Sequence, residues 1–232
     1  MDKRTQELLS LIIDQYISAA RPIGSLYLVE KMRLSWSSAT IRNIMALLEE
    51  EGYMYSPHSS AGRIPTQVGY RTYVESLQPV GIGSRQETVV GRTVIAFLED
   101  PEKNASEFTT FLSNLIGELV FVTTSPTTYC IKGFNHLLGK VEFQDESFVE
   151  SLFSLIDSFE DVIHTLEARA QVGKADIWIG KEHMLSSQCS LCVVGYRTLS
   201  HSGFIGILGP MRMNYAKNMA VMKTIARVTG NS

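Results

Sequence analysis

Three short amphipathic segments follow one another between Lys3 and Glu51, and each is cut off by a helix breaker. That pattern restricts the N-terminal part of the chain to a small cluster of packed helices. In the first segment, Leu8, Leu9, Ile12, Ile13, Tyr16 and Ile17 follow helical i, i+3, i+4 spacing. Arg21-Pro22-Ile23-Gly24 interrupts it. Ser25 caps a second segment through about Lys31, with Leu26, Val29 and Met32 on one side. After a Leu34-Ser35-Trp36 link, Ser37 or Ser38 caps a third segment, and Gly52 stops it with a left-handed backbone.

Tyr53-Met54-Tyr55 then reads as a short strand, and residues 56–66 as a turn-rich excursion. A fourth helix runs from about Thr66 to Leu77, with Tyr70, Tyr73, Val74 and Leu77 inward. Three helices and a β excursion are the layout of a winged helix-turn-helix. The predicted organisation is a winged helix over residues 1–77, a linker over 78–86 and a second domain over 87–232. In the second domain, Pro101 separates two helices, and strands are expected at 120–124, 129–134, 177–179, 191–197 and 204–208. Residues 148–168 read as one long amphipathic helix, and residues 215–228 as a closing helix. His201-Ser202-Gly203 reads as the turn between the last two strands. The mixture is α+β.

The third segment carries the most specific chemistry. On a wheel of 100° per residue, Ile41, Ile44, Met45 and Leu48 share one face. The opposite face holds Ala39, Asn43 and Ala46, with Arg42 beside them. Small alanines let a helix axis approach base edges. Asn pairs with adenine N6 and N7, and Arg with guanine O6 and N7. Ser37, Ser38 and Thr40 near the helix start suit phosphate oxygens. In the excursion, His58, Ser59, Ser60 and Arg63 offer hydroxyls, an imidazole and a cation for a DNA backbone or minor groove. The same residues also fit a plain helix cap, a solvated face and an exposed turn.

Composition narrows the alternatives. The 232 residues are 44% hydrophobic and 19% charged, with a net charge of -3. A packed core follows, and any nucleic-acid contact has to come from a local patch. Within residues 1–77 the charges balance to zero. Cys130, Cys189 and Cys192 are too few and too oddly numbered for a disulfide framework. Cys189-Ser190-Leu191-Cys192 has half the ligands of a zinc site and sits on a strand, where alternate residues face opposite ways. No acid–base or nucleophile set stands out, so the expectation is a non-enzyme without cofactor or metal. The N-terminus lacks signal-peptide order and no apolar run reaches the roughly 18 residues of a membrane span. The expected setting is therefore the cytoplasm.

Longer strings add a resemblance. They are Pro22-Ile23-Gly24-Ser25, Ser37-Ser38-Ala39-Thr40-Ile41-Arg42-Asn43, Leu48-Glu49, Gly52-Tyr53, residues 57–66 and residues 69–74. In the C-terminal half, Phe143-Gln144-Asp145, Ile179-Gly180-Lys181-Glu182, Gly206-Ile207-Leu208-Gly209-Pro210 and Arg212-Met213-Asn214-Tyr215 follow in order. Together these resemble the heat-inducible transcription repressor family, over nearly the whole chain. The resemblance implies a homodimeric repressor of chaperone and heat-shock operons that binds an inverted-repeat DNA operator. It also implies a chaperonin as a partner that keeps the repressor active. The implied architecture is a winged helix, a GAF-like domain and a dimerising domain inserted in the latter.

The chain departs from that family in two ways. About a hundred residues are missing between Ser125-Pro126 and Tyr129-Cys130, which removes part or all of the inserted dimerising domain. The family usually carries an acidic residue where Ile44 stands, and basic residues where Leu26 and Val68 stand. Fewer cations weaken phosphate contact. A second reading therefore stands beside the first: a GAF-like module that senses a small molecule or the chaperonin, with reduced DNA binding.

Overall fold

The computed structural model describes every residue except 33–35, 59–60, 79, 126–127, 158, 184 and 231–232; the side chains of 32, 151, 156, 161, 162 and 164 are likewise left undescribed. The chain divides into two compact units, Met1–Gln78 and Pro79–Ser232.

The first unit contains α1 (Lys3–Ala19), α2 (Ser25–Met32), α3 (Ser38–Glu50), β1 (Met54–Tyr55), β2 (Ile64–Pro65) and α4 (Gln67–Ser76). Local chemistry sets the helix boundaries. Asp2 caps α1 by accepting the Thr5 N–H at 2.7 Å, and Thr66 caps α4 by accepting the Gly69 N–H at 3.2 Å. Side-chain oxygens here satisfy amides that have no partner inside the helix. α1 ends at Ala20, which takes a left-handed φ of 53°. Leu8, Leu9, Ile12, Ile13, Leu28, Ile41, Leu48 and Tyr70 are buried at the centre of this unit. Tyr73 on α4 donates its hydroxyl to Asp14 on α1.

β1 and β2 pair antiparallel, Met54 with Pro65 and Tyr55 with Ile64. A third stretch joins them. The Ile23 N–H donates to the Arg63 carbonyl at 3.1 Å, and the Arg63 N–H donates to the Ile23 carbonyl at 2.8 Å. Arg21 to Gly24, expected only as a breaker, therefore also supplies a β-bridge.

The second unit contains α5 (Ser84–Glu99), α6 (Pro101–Ile116), β3 (Leu119–Ser125), β4 (Thr128–Lys132), α7 (Phe134–Leu138), α8 (Glu146–Asp157), α9 (Phe159–Arg169), β5 (Ala175–Ile179), β6 (Cys189–Arg197), β7 (Ser202–Pro210) and α10 (Tyr215–Thr229). Its strands form one sheet in the order β4-β3-β7-β6-β5, antiparallel throughout. The expected α+β class is what the chain adopts.

Helices cover both faces of the sheet. Leu119, Phe121, Leu191, Val193, Phe204 and Leu208 join the α8 and α9 residues Phe148, Leu152, Leu155, Phe159, Ile163 and Leu166 in one apolar core. On the other face Tyr196 meets Phe97 of α5 edge-on at 5.1 Å, and Ser190 bonds the Tyr215 hydroxyl of α10 at 2.7 Å. Burial on both sides explains why β3, β6 and β7 read as nearly continuous apolar runs.

Every described residue of the helix expected over 148–168 is helical, in α8 and α9, with 158 between them outside the described residues. Pro101 separates two helices as expected, and it is itself the first residue of α6, where its missing N–H costs nothing. One expectation needs correction. Gly203 is not a turn residue: it lies in β7 paired with Tyr196, and a Cβ there would sit 2.5 Å from the Thr123 carbonyl oxygen.

Candidate nucleic-acid interface

The first unit presents α3 as an exposed ridge. Ile41, Met45 and Leu48 are buried, whereas Ala39, Arg42, Asn43, Ala46 and Leu47 are exposed. Ile44, expected in the core with them, is only half-buried. The exposed face therefore carries the Arg42 guanidinium and the Asn43 carboxamide beside Ala39 and Ala46, together with Leu47 and the Glu50 carboxylate. Rotation by 100° per residue separates this strip from the buried one.

The start of α3 is fixed by its own side chains. Ser37 accepts the Thr40 N–H at 3.1 Å and meets the Thr40 hydroxyl at 2.9 Å. The Ser38 hydroxyl lies 3.3 Å from that of Ser25 on α2. Ser37 is therefore the cap, and Ser38 links the beginnings of two helices. Arg4 of α1 lies over the Trp36 ring at 4.4 Å, which brings a cation beside this cap. Trp36 precedes the cap directly in sequence, but its cationic partner lies far upstream and leaves no local signal.

A cleft of about 420 Å³ opens beside the ridge. Gly24, Ser25 and Leu26 form one wall, Arg42 and Met45 another, and Gly62 with Arg63 the third. The site residues read from the sequence thus come together in part. Arg42 and Arg63 line one cleft, with the Ser25 that bonds Ser38. His58 is exposed, and its carbonyl accepts from the Ser56 hydroxyl at 2.6 Å and the Ala61 N–H at 2.9 Å. Ser59 and Ser60 lie outside the described residues.

Arg63 is held internally. Its guanidinium meets Glu49 at 2.8 Å and donates to the Ala61 carbonyl at 3.3 Å. Glu49 was not singled out from the sequence as a site residue. Its only sequence signal was its place in a longer matching string, because its partner lies fourteen positions away on another element. Gly62 has a geometric role as well: a Cβ there would lie 2.4 Å from the Ile23 carbonyl carbon.

In the second unit, the CxxC pair is buried. Burial pushes the Cys189 thiol up to about 12 and the Cys192 thiol higher. Cys189 belongs to the α8–α9 core and pairs across the sheet with Pro210, while Cys192 pairs with Ile207. Among the described residues no group of three or more His, Cys, Asp or Glu is arranged to hold a metal. No described helix is long and apolar enough to cross a membrane.

Residues 86–219 match the family model described as the HrcA protein C terminal domain. The chain belongs to the HrcA family. The heat-inducible transcription repressor HrcA of Thermoanaerobacter sp. (strain X514) is 26% identical over 333 positions, covering 100% of this chain and 96% of that one. HrcA of Carboxydothermus hydrogenoformans is 26% identical over 339 positions, covering 100% and 99%. HrcA of Acetivibrio thermocellus reaches 56% identity over 77 residues, which is 33% of this chain and 22% of that one. Among solved structures, a hypothetical protein determined at 2.2 Å shares the fold with a TM-score of 0.73 at 17% identity, covering 100% of this chain and 97% of that one. The Thermoanaerobacter alignment sets 333 positions against 232 residues, so 101 of them have no residue of this chain. β3 ends at Ser125 and β4 begins at Thr128, with those two residues paired across the strands.

Proposed function

We propose that this HrcA-family chain is a transcription repressor whose first unit is a winged helix-turn-helix on duplex DNA. α3 enters the major groove, with Arg42 and Asn43 reading base edges. Ser37, Ser38 and Thr40 at its start, and His58, Ser59 and Ser60 in the wing, position the DNA backbone. The observation that carries this reading is the division of α3 into a buried apolar strip and an exposed strip of Ala39, Arg42, Asn43 and Ala46.

The second unit is a GAF-like regulatory and dimerisation domain in this reading. It pairs two first units so that their recognition helices meet successive major grooves of an inverted repeat. The targets are chaperone and heat-shock operons, and a chaperonin is the regulatory partner. β3 and β4 pair with Ser125 opposite Thr128, at the place where the resemblance implies the inserted dimerising domain, so in this reading the homodimer forms without part or all of that domain.

Arg42→Ala tests the assignment in a gel-shift titration. The variant should lose about 1–3 kcal/mol of specific binding, and unchanged affinity would remove Arg42 from the reading surface. One feature favours a second reading, a sensing module with weakened DNA binding. Leu26 and Val68 are 60% and 55% exposed, at positions where the family resemblance implies cations. Tight capture of a metabolite or chaperonin, with indifference to inverted-repeat DNA, would favour it.

A further inference from the structure

We propose that Glu49 and Arg63 form a clamp that sets the wing against α3, and that Arg63 acts on DNA through this positioning rather than by touching it. The proposal rests on the DNA-binding reading above. Its geometry stands on two contacts to one carboxylate and on further contacts that fix its cationic partner. One Glu49 oxygen accepts the Ser56 N–H at 2.9 Å, just after β1. The other meets the Arg63 guanidinium at 2.8 Å, just before β2. A side chain on the last turn of α3 thus grips both legs of the excursion between β1 and β2. Arg63 itself is fixed from two more directions. Its guanidinium donates to the Ala61 carbonyl, and its backbone pairs with Ile23 in both directions.

The guanidinium side chain is 22% exposed and that of Glu49 is 35% exposed. A minor-groove arginine has to leave its partners and extend into solvent. Here the fork already has an anionic partner, a carbonyl partner and a backbone anchored on α2's leading stretch. Releasing it would free both legs of the wing together. The arrangement makes the angle between wing and recognition helix depend on two side chains that do not themselves contact a phosphate.

The test is a set of titrations with the full chain and the duplex that the wild type selects from a randomised library. Glu49→Ala and Arg63→Ala should each weaken binding about two- to tenfold, and the double variant should be no weaker than Glu49→Ala alone, because that variant already removes the whole clamp. The dependence of log affinity on log salt should keep its wild-type slope in all three. A lost phosphate contact would instead lower that slope by about 0.9. Arg63→Lys separates the roles further: a lysine keeps a phosphate contact as a point charge but cannot reproduce the fork, so it should behave like Arg63→Ala. A reduced slope in Arg63→Ala with an unaffected Glu49→Ala would overturn the proposal. Amide exchange gives a readout without DNA. Ser56 should exchange faster in Glu49→Ala, and unchanged exchange would exclude the clamp even if the wild type selects no duplex. Selection of no duplex by the wild type, with faster Ser56 exchange, would leave the clamp standing and fail the DNA reading.

Discussion

Gly62 and Ile23 approach so closely that a methyl group on Gly62 would lie 2.4 Å from the Ile23 carbonyl carbon. Backbone cannot yield as a flexible side chain can. Gly62→Ala should therefore break the Ile23–Arg63 bridge and destabilise the first unit by about 1–3 kcal/mol. Urea unfolding followed by Trp36 fluorescence would register the loss, and an unchanged midpoint would show that the stretch before β2 does not lean on Ile23.

A similar relation holds the sheet together. Phe121 and Gly206 are cross-strand partners in β3 and β7, and a Cβ on Gly206 would fall 2.2 Å from the phenyl ring. The ring also meets Phe159 at 4.9 Å and Phe204 at 5.5 Å, both edge-on. It has little room to move, so Gly206→Ala should cost about 1–3 kcal/mol, read from a shift in thermal midpoint. A variant as stable as the wild type would mean that the ring swings aside freely.

His183 gives the second unit an acid-sensitive point. It is fully buried, its Nδ1 accepts the Leu185 N–H at 3.2 Å, and its Nε2 faces the Cys189 carbonyl at 2.9 Å. Burial holds its pKa below the ordinary 6.5. The unfolded chain then takes up the proton first, so stability is complete above pH 6.5 and declines as pH falls through that value. Buried Glu118 is shifted the opposite way, so the comparison has to be made against His183→Gln. Between pH 7.5 and 5.5 the wild type should lose more stability than the variant, as measured by urea midpoints. Equal losses would assign the acid response to other groups.

Leu26 and Val68 offer a gain-of-binding test. Both are exposed apolar residues, and Leu26 lines the cleft beside Arg42. Leu26→Lys and Val68→Lys should tighten binding to duplex DNA, and each should steepen the salt dependence by about 0.9 if the new cation meets a phosphate. Unchanged affinity and slope in both would place these positions away from the duplex.

The parts legible in the sequence were those with short-range causes. α3 was readable because a cap, a helical apolar stripe and a left-handed glycine all fall within residues 37–52. The strands of the second unit were readable because both faces of the sheet are buried and the runs are apolar. What escaped has its cause elsewhere in the chain. Gly203 looked like a turn residue because its partners, Thr123 and Tyr196, come from other strands. Arg63 looked like a free cation because Glu49 reaches it only once β1 and β2 have paired.

The most direct measurement is a base-preference profile of the wild type, Arg42→Ala and Asn43→Ala across every single substitution of the selected inverted-repeat duplex. Arg42→Ala should lose discrimination at one guanine in each half-site, and Asn43→Ala at one adenine, with other positions unchanged. A uniform loss at all positions, or none, would contradict readout by α3.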